Sequence, residues 1–228
     1  MREFTGKIVF ITGGGGGIGA GIAQAFAERG ARIILADIQN TFAEEEAAKL
    51  PAAAEAQVIT LDVRSLESWS AAREKVERQL GAVDILCNNA GISNGFKPLA
   101  DVAPDEFDRL MAINVTGVYN GVRTFMPSMV ARGSGHIVNT SSMNGLTPFG
   151  SFAAYSASKF AVLGLSDALR EELAPSGVGV STLFPGLTRS RMAEKDAGGA
   201  TGQVPGRHRP HGRAACQWFR PALPWLPL

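Results

Sequence analysis

Short apolar runs alternate along the chain with longer segments whose apolar residues recur at helical spacing. The runs predict strands at residues 7–12, 32–36, 57–61, 83–87, 136–140 and 178–184, and the longer segments predict helices at 18–29, 41–50, 65–80, 104–131 (interrupted near Asn114) and 154–174. Helices between successive strands are typical of a parallel sheet covered on both faces, whose strands are apolar nearly throughout. The pattern therefore predicts an α/β fold with a single Rossmann-type, doubly wound parallel sheet.

Length and composition indicate a single globular domain with a hydrophobic core, and they give little information about its function. The chain has 228 residues, 45% of them hydrophobic, and a formal net charge of +1, which gives no reason to expect nucleic acid or an anionic membrane as a partner. No apolar stretch reaches the roughly 20 residues that span a bilayer. The two cysteines, Cys87 and Cys216, form no disulfide framework, so we expect a cytoplasmic protein. Cys87 follows apolar residues and is expected to be a small buried hydrophobe.

A glycine-rich turn joins the first predicted strand to the first predicted helix, and it reads Thr12-Gly13-Gly14-Gly15-Gly16-Gly17-Ile18-Gly19. Glycines allow the backbone to approach a pyrophosphate closely, and the helix N-terminus supplies N–H groups and a favourable dipole. Asp37 ends the second predicted strand, where a carboxylate accepts from ribose hydroxyls and repels a 2′-phosphate. Residues 13–17 and 38–48 contain no Arg or Lys, so NAD is favoured over NADP. The alternatives are a flexible turn and a solvated acid.

Tyr155 and Lys159 are four residues apart in the predicted helix 154–174, and therefore share one of its faces. A nearby ammonium favours phenolate and lowers the pKa of a tyrosine from about 10, which makes the side chain usable as an acid or base near neutral pH. Taken alone, the same spacing also describes a surface tyrosine beside a solvated lysine.

Several motifs in order resemble the short-chain dehydrogenase/reductase family in its short single-domain form, over roughly residues 4–192. The glycine-rich turn looks like the family's T-G-x-x-x-G-x-G, and Asn88-Asn89-Ala90-Gly91 looks like its N-N-A-G. The resemblance implies a catalytic tetrad of Asn114, Ser142, Tyr155 and Lys159. It also implies cofactor contacts at Gly13, Gly17, Ile18, Gly19, Asp37, Asp62, Val63, Asn89, Ala90, Gly91, Tyr155, Lys159, Pro185, Gly186 and Thr188.

The chemistry that the resemblance implies is hydride transfer between NAD and a secondary alcohol or ketone. Tyr155 would be the acid/base, Ser142 would hold the substrate oxygen, and Lys159 would lower the Tyr155 pKa and reach the nicotinamide ribose. The family uses the position of Asn114 to kink a helix and hold a water, although a plain helix interruption is a rival interpretation. Ser141 better fits a strand-end hydroxyl bound to backbone. A sugar-nucleotide epimerase is disfavoured by the glycine spacing and the short chain.

The candidate substrate-pocket residues are mostly apolar, which predicts a small-molecule substrate with a hydrophobic body; they are Ser93, Asn94, Phe96, Met143, Asn144, Phe149, Phe152 and Leu187. Ordinary packing is the alternative for each of them. Residues 93–96 and 143–152 contain no Arg that would bind a carboxylate, although Arg189 and Arg191 follow in the next loop. We predict no metal site, and we expect His208 and His211 to be solvated.

The end of the chain departs from the family's pattern. Residues 197–228 contain four Arg, five Pro and two His but no Asp, Glu or Lys. We therefore predict a catalytic domain over residues 1–196 and a poorly ordered tail over 197–228, with the family's substrate-covering helix and last strand missing. The composition resembles GC-rich DNA read out of frame, and a genuine adaptor tail is the alternative. The rival function is a catalytically impaired NAD-binding protein with a frameshifted or repurposed C-terminus.

Family dimers often pair the two long helices, which correspond here to residues 112–131 and 154–174. The resemblance therefore implies a homodimer through these helices. It argues against a tetramer that depends on the missing last strand.

Overall fold

A computed structural model of the chain describes residues 4–186 and 188. Within them, six parallel strands form one sheet: β1 Ile8–Thr12, β2 Arg32–Asp37, β3 Gln57–Thr60, β4 Ile85–Asn88, β5 Gly135–Thr140 and β6 Val178–Leu183. The strand order is β3-β2-β1-β4-β5-β6, so the direction of winding reverses between β1 and β4. Ligands of such sheets bind beside this switch point, outside the carboxyl ends of the strands.

Six α-helices cover the sheet in the described part of the chain: α1 Gly17–Ala27, α2 Asn40–Ala47, α3 Leu66–Gln79, α4 Pro104–Met111, α5 Gly117–Ala131 and α6 Ala153–Leu173. The predicted helix over 104–131 is α4 and α5, joined by one π-helical turn, Ala112–Thr116. The predicted interruption near Asn114 is therefore confirmed. None of these helices is long and apolar enough to cross a bilayer.

Alternate residues of each central strand pack on opposite faces of the sheet, as the pleat requires. On one face the Phe10 ring packs against Trp69 and Phe125, with centroid distances of 5.8 and 5.1 Å respectively. On the other face Ile11 joins a second buried cluster that contains Ile22 of α1. Two cores on two faces confirm the predicted doubly wound α/β fold.

Cys87 is buried in β4 and belongs to the second cluster, together with Ile11. Burial raises the pKa of its thiol to about 12, because a thiolate would be desolvated there. The prediction of a small buried hydrophobe is confirmed.

The predictions about the end of the chain lie outside the described residues. They are the boundary at residue 196, the tail 197–228 with its missing lid and last strand, and the assignments of Leu187, Arg189, Arg191, His208 and His211.

Candidate active site

A cavity of about 870 Å³ lies at the carboxyl ends of the strands. All of the predicted cofactor-binding residues line it except Gly19, which is buried in the first turn of α1. Ser142, Tyr155 and Lys159 also line the cavity, whereas Asn114 lies behind its wall and is fully buried. The sheet therefore brings the predicted cofactor and catalytic residues to one continuous surface.

The glycine-rich turn packs tightly against the start of α1. Gly13 has a φ of +65°, which favours glycine. A Cβ on Gly19 would overlap the carbonyl oxygen of Gly13 and lie 3.0 Å from Asn89 Nδ2. These two glycines let the turn fold back on the helix and present its backbone to the cavity.

We expect Gly19→Ala to lower the free energy of unfolding by about 1–3 kcal/mol, because the added methyl group has no room. Gly21→Ala is the matched control on the same helix, since a Cβ there meets no atom within 4 Å. It should raise the free energy of unfolding by about 0.5–1 kcal/mol, as Ala does in helix interiors. Urea denaturation of both variants checks the pair, and equal changes would contradict the close approach at Gly19.

Asp37 connects the end of β2 to the glycine-rich turn. Its Oδ2 accepts from Gly15 N at 3.0 Å, and its Oδ1 accepts from Gln39 N at 3.0 Å. A carboxylate has about four lone-pair sites, so it keeps acceptor capacity toward the cavity.

Two cationic side chains on the cavity wall were missed by the sequence reasoning. Arg64 binds the Asp62 carboxylate through Nε at 2.9 Å and Nη2 at 2.6 Å, and these hydrogen bonds hold the pKa of Asp62 below its usual range. Arg64 directly follows Asp62 and Val63, which the resemblance gave as cofactor contacts, and this adjacency was the signal that could have identified it. Arg109 of α4 also lines the cavity, and no sequence motif pointed to it.

Tyr155 and Lys159 lie together in the first turns of α6. Lys159 is only 4% exposed, and its Nζ lies 5.6 Å from the centroid of the Tyr155 ring. The same Nζ donates to the carbonyl oxygen of Thr140 at 3.0 Å. Burial lowers the pKa of Lys159 to about 8, because the ammonium is desolvated. The predicted shared helix face is confirmed, with the ammonium buried and close to the phenol ring.

Ser142 follows β5 and caps a short 3₁₀ turn, Met143–Gly145. Its Oγ accepts from Asn144 N at 3.2 Å. The neighbouring Ser141 is buried and donates instead to the carbonyl oxygen of Lys159 at 2.8 Å. The expectation that Ser141 binds backbone is confirmed. Both serines border the cavity, but the Ser141 hydroxyl is engaged by the Lys159 carbonyl oxygen.

Asn114 ties the π-helical turn to its neighbours through its side chain. Its Oδ1 accepts from Ile92 N at 2.8 Å, while its Nδ2 donates to Ile92 O at 3.0 Å and to Ser158 Oγ at 3.0 Å. These bonds join the α4–α5 junction to the segment after β4 and to α6. Asn114 therefore holds the surroundings of Lys159 in place from behind the wall.

The segment after β4 is held against the glycine-rich turn by side-chain bridges. Asn89 Nδ2 donates to Thr12 O at 3.1 Å, and Thr12 Oγ1 accepts from Asn89 N and Ala90 N, both at 2.9 Å. Asn89 and Thr12 therefore fix the end of β4 to the end of β1, and the role of Thr12 was not predicted from the sequence.

The structure brings only some of the candidate substrate-pocket residues to the cavity. Ser93, Met143, Asn144, Phe149 and Phe152 line the cavity, but Asn94 and Phe96 do not. Phe96 is 64% exposed, and its ring packs edge-on against Phe152 at a centroid distance of 4.3 Å. Phe152 in turn lies 6.1 Å from the Tyr155 ring. The wall beside Tyr155 is therefore mostly apolar and aromatic.

Among residues 4–186 and 188, no group of three or more His, Cys, Asp or Glu side chains is placed to hold a metal ion.

The comparison with protein families agrees with this arrangement. The model of the short chain dehydrogenase family matches residues 7–199. The chain belongs to the short-chain dehydrogenase family.

Two relatives in this family come from Mycobacterium tuberculosis. Probable oxidoreductase EphD is 42% identical over 186 residues, which are 81% of this chain and 31% of the relative. A 3-alpha-(or 20-beta)-hydroxysteroid dehydrogenase is 36% identical over 189 residues, which are 83% of this chain and 72% of the relative. The chain thus spans about a third of the first relative and most of the second.

A solved short-chain dehydrogenase from Burkholderia phymatum, in complex with NAD, has a similar fold. It is 33% identical, with a TM-score of 0.81, and the likeness covers 89% of this chain and 75% of that one. The fold and the family are therefore shared with an enzyme whose structure contains NAD.

Proposed function

We propose that this chain is an NAD-dependent oxidoreductase that transfers a hydride between the nicotinamide and a secondary alcohol or ketone. The observation that carries the proposal is the Lys159 ammonium, buried 5.6 Å from the Tyr155 ring in the wall of a cavity that also contains the glycine-rich turn. A desolvated cation beside a phenol is an arrangement suited to proton transfer near neutral pH.

The residues present fit a dinucleotide. The turn of residues 13–19 offers backbone N–H groups and the start of α1 to a pyrophosphate, in a space that a Cβ on Gly19 would distort. Asp37 still has acceptor sites for ribose hydroxyls and would repel a 2′-phosphate. A relative solved with NAD supports the same cofactor. Asp37 favours NAD over NADP, although Arg64 is a cation on the same wall.

NAD, when bound, supplies the hydride-transfer chemistry. In the oxidising direction Tyr155, as phenolate, takes the proton of the substrate hydroxyl. In the reducing direction it returns that proton to the substrate oxygen. Lys159 stabilises the phenolate by its charge, and Ser142 donates a hydrogen bond to the same oxygen as negative charge develops there.

The wall beside Tyr155 suggests the class of substrate. Phe152 lies edge-on to the Tyr155 ring at 6.1 Å, and Phe149 and Met143 also line the space. We propose a small molecule with a bulky apolar body, such as an alicyclic or aromatic secondary alcohol. The name of the hydroxysteroid dehydrogenase relative is consistent with this class.

We further propose a homodimer formed through α5 and α6. Val130 of α5 is 40% exposed and Phe160 of α6 is 42% exposed, which leaves apolar side chains on both helices for a second copy. A cytoplasmic location and the absence of nucleic-acid partners stay predictions from composition.

The test is to incubate the protein with a panel of secondary alcohols and either NAD or NADP. Formation of the reduced cofactor is monitored by its absorbance at 340 nm. We expect NADH production from alicyclic and aromatic alcohols, with kcat/KM at least about a hundredfold lower for NADP because of repulsion at Asp37. Binding of NADH without turnover of any alcohol or ketone would favour the impaired NAD-binding protein. Equal use of NADP would contradict the role of Asp37.

A further inference from the structure

The end of β5 holds Lys159 at two separate points. The carbonyl oxygen of Thr140 accepts from Lys159 Nζ at 3.0 Å, and the Ser141 hydroxyl donates to the main-chain carbonyl oxygen of Lys159 at 2.8 Å. Ser141 is 2% exposed, and its N–H donates to Leu183 O of β6 at 2.8 Å. The backbone of α6 at Lys159 is therefore fixed to the sheet independently of the lysine side chain.

The 3₁₀ turn that follows Ser142 packs directly onto this hydrogen bond. A Cβ on Gly145 would overlap Ser141 Oγ and lie 2.9 Å from the Lys159 carbonyl oxygen. Gly145 is thus in contact with both partners of the bond. The turn that is capped by Ser142 and the helix that carries Tyr155 meet at the Ser141 hydroxyl.

We propose that Ser141 is a positioning residue for the proposed reaction: its hydroxyl fixes α6 to the end of β5 and so sets where the Lys159 ammonium and the Tyr155 ring stand relative to Ser142. It contacts neither the substrate nor the cofactor in this role, and it acts through the main chain of Lys159. The inference deepens the proposed function and rests on it for its kinetic test.

The chain offers a matched control on the same helix. Ser156 follows Tyr155 directly and is 4% exposed, but its buried Oγ has no hydrogen-bond partner in the described part of the chain. Ser141→Ala removes a buried hydroxyl together with its hydrogen bond between two elements. Ser156→Ala also removes a buried hydroxyl, but no hydrogen bond is lost with it. Both changes leave a void of the same size.

The first measurement is steady-state kinetics with an alcohol that the parent enzyme oxidises. We expect kcat to fall about tenfold in Ser141→Ala, since one misplaced hydrogen bond near the reacting groups is worth about that factor. The KM for NAD should change less than kcat, because the turn of residues 13–19 is untouched and only the expected contact of Lys159 with the nicotinamide ribose is disturbed. Ser156→Ala should keep the parent's kcat. A Ser141→Ala enzyme with the kcat of Ser156→Ala would overturn the proposal.

The second measurement needs no turnover. The chain has two tyrosines, so in a Tyr119→Phe background the absorbance at 295 nm reports the ionisation of Tyr155 alone. If Ser141 fixes the Lys159 ammonium near the phenol, Ser141→Ala should move the ionisation midpoint to higher pH, and Ser156→Ala should not. The other charged groups on the cavity wall, which are Asp37, Asp62, Arg64 and Arg109, are the same in every variant. Unchanged midpoints in both variants would refute the positioning role.

The two measurements separate the positioning role from the proposed function. If Ser141→Ala shifts the Tyr155 midpoint but the parent oxidises no alcohol, the positioning role stands and the proposed function is rejected. Gly145→Ala covers the case in which Ser141→Ala does not fold, because it disturbs the same contact and keeps the hydroxyl. It should shift the midpoint in the same direction, and a parent-like midpoint would count against the proposal.

Discussion

Tyr155→Phe is expected to lower kcat by about a thousandfold while leaving the affinity for NAD and the thermal midpoint of unfolding nearly unchanged. The variant loses only the phenolic oxygen, which in the proposed reaction takes and returns the proton of the substrate hydroxyl. General acid–base catalysis by one side chain typically contributes a factor of 10²–10⁴. The aromatic ring stays, so its edge-on contact with Phe152 at 6.1 Å is preserved.

The matched control for this substitution is Tyr119→Phe, which changes the only other tyrosine of the chain. Tyr119 is 46% exposed on α5, and its hydroxyl accepts from Arg123 at 3.1 Å. We expect parent-like kinetics for it. The measurement is kcat with an established alcohol, together with an NADH fluorescence titration of each variant. Normal turnover by Tyr155→Phe would falsify the assignment of the acid/base.

Lys159→Met is expected to abolish most turnover and, at neutral pH, to make the protein more stable. Turnover should fall by at least about a hundredfold, because the phenolate loses the cation that stabilises it. Stability should rise because burial depresses the pKa of Lys159 from 10.5 to about 8, so the folded state carries an ammonium that it disfavours. That shift corresponds to about 3 kcal/mol. Loss of the hydrogen bond to Thr140 offsets part of it, and we expect a net gain of about 1–2 kcal/mol.

The stability that Lys159→Met gains over the parent should depend on pH between about pH 8 and 10.5. Between pH 8 and 10.5 the unfolded parent holds the Lys159 proton and the folded parent has released it, so the parent's free energy of unfolding rises with pH there. Methionine has no proton to release. The advantage of Lys159→Met is therefore complete below pH 8 and shrinks as the pH approaches 10.5.

Urea denaturation at several pH values measures this difference. Lys75→Met is the control, because Lys75 is exposed on α3 and its replacement should change stability by no more than about 0.5 kcal/mol at any pH. A Lys159→Met protein less stable than the parent at pH 7 would show that the buried ammonium contributes more through its contacts than it costs through desolvation.

The chemistry of the site was predictable from the sequence wherever it follows local spacing. Tyr155 and Lys159 share a face because they are four residues apart on a helix, and the glycine-rich turn precedes a helix by simple succession. The interruption at Asn114 was also a local signal. Such features depend on the chain near the residue and not on the order of the strands.

The remaining features depend on which segments meet across the sheet. Arg109 reaches the cavity wall because of where α4 packs, and the bond between Ser141 and the Lys159 carbonyl depends on the placement of α6 against β5. Phe96 was placed in the pocket by its neighbours in sequence, but its ring turned outward onto Phe152. No spacing in one sequence carries this information.

The number of residues in the π-helical turn Ala112–Thr116 determines which face of α4 meets the cavity. Each residue of a helix rotates the next by about 100°, so a segment of fixed length sets the angle between the faces of α4 and α5. Losing one residue here would give an unbroken α-helix and swing α4, with Arg109, about a quarter-turn away from the cavity wall. Substitutions in this turn change a side chain, whereas an insertion or deletion would change which face of a whole helix meets the ligand. Natural variation at this point of the chain should therefore be in residue type and not in residue number.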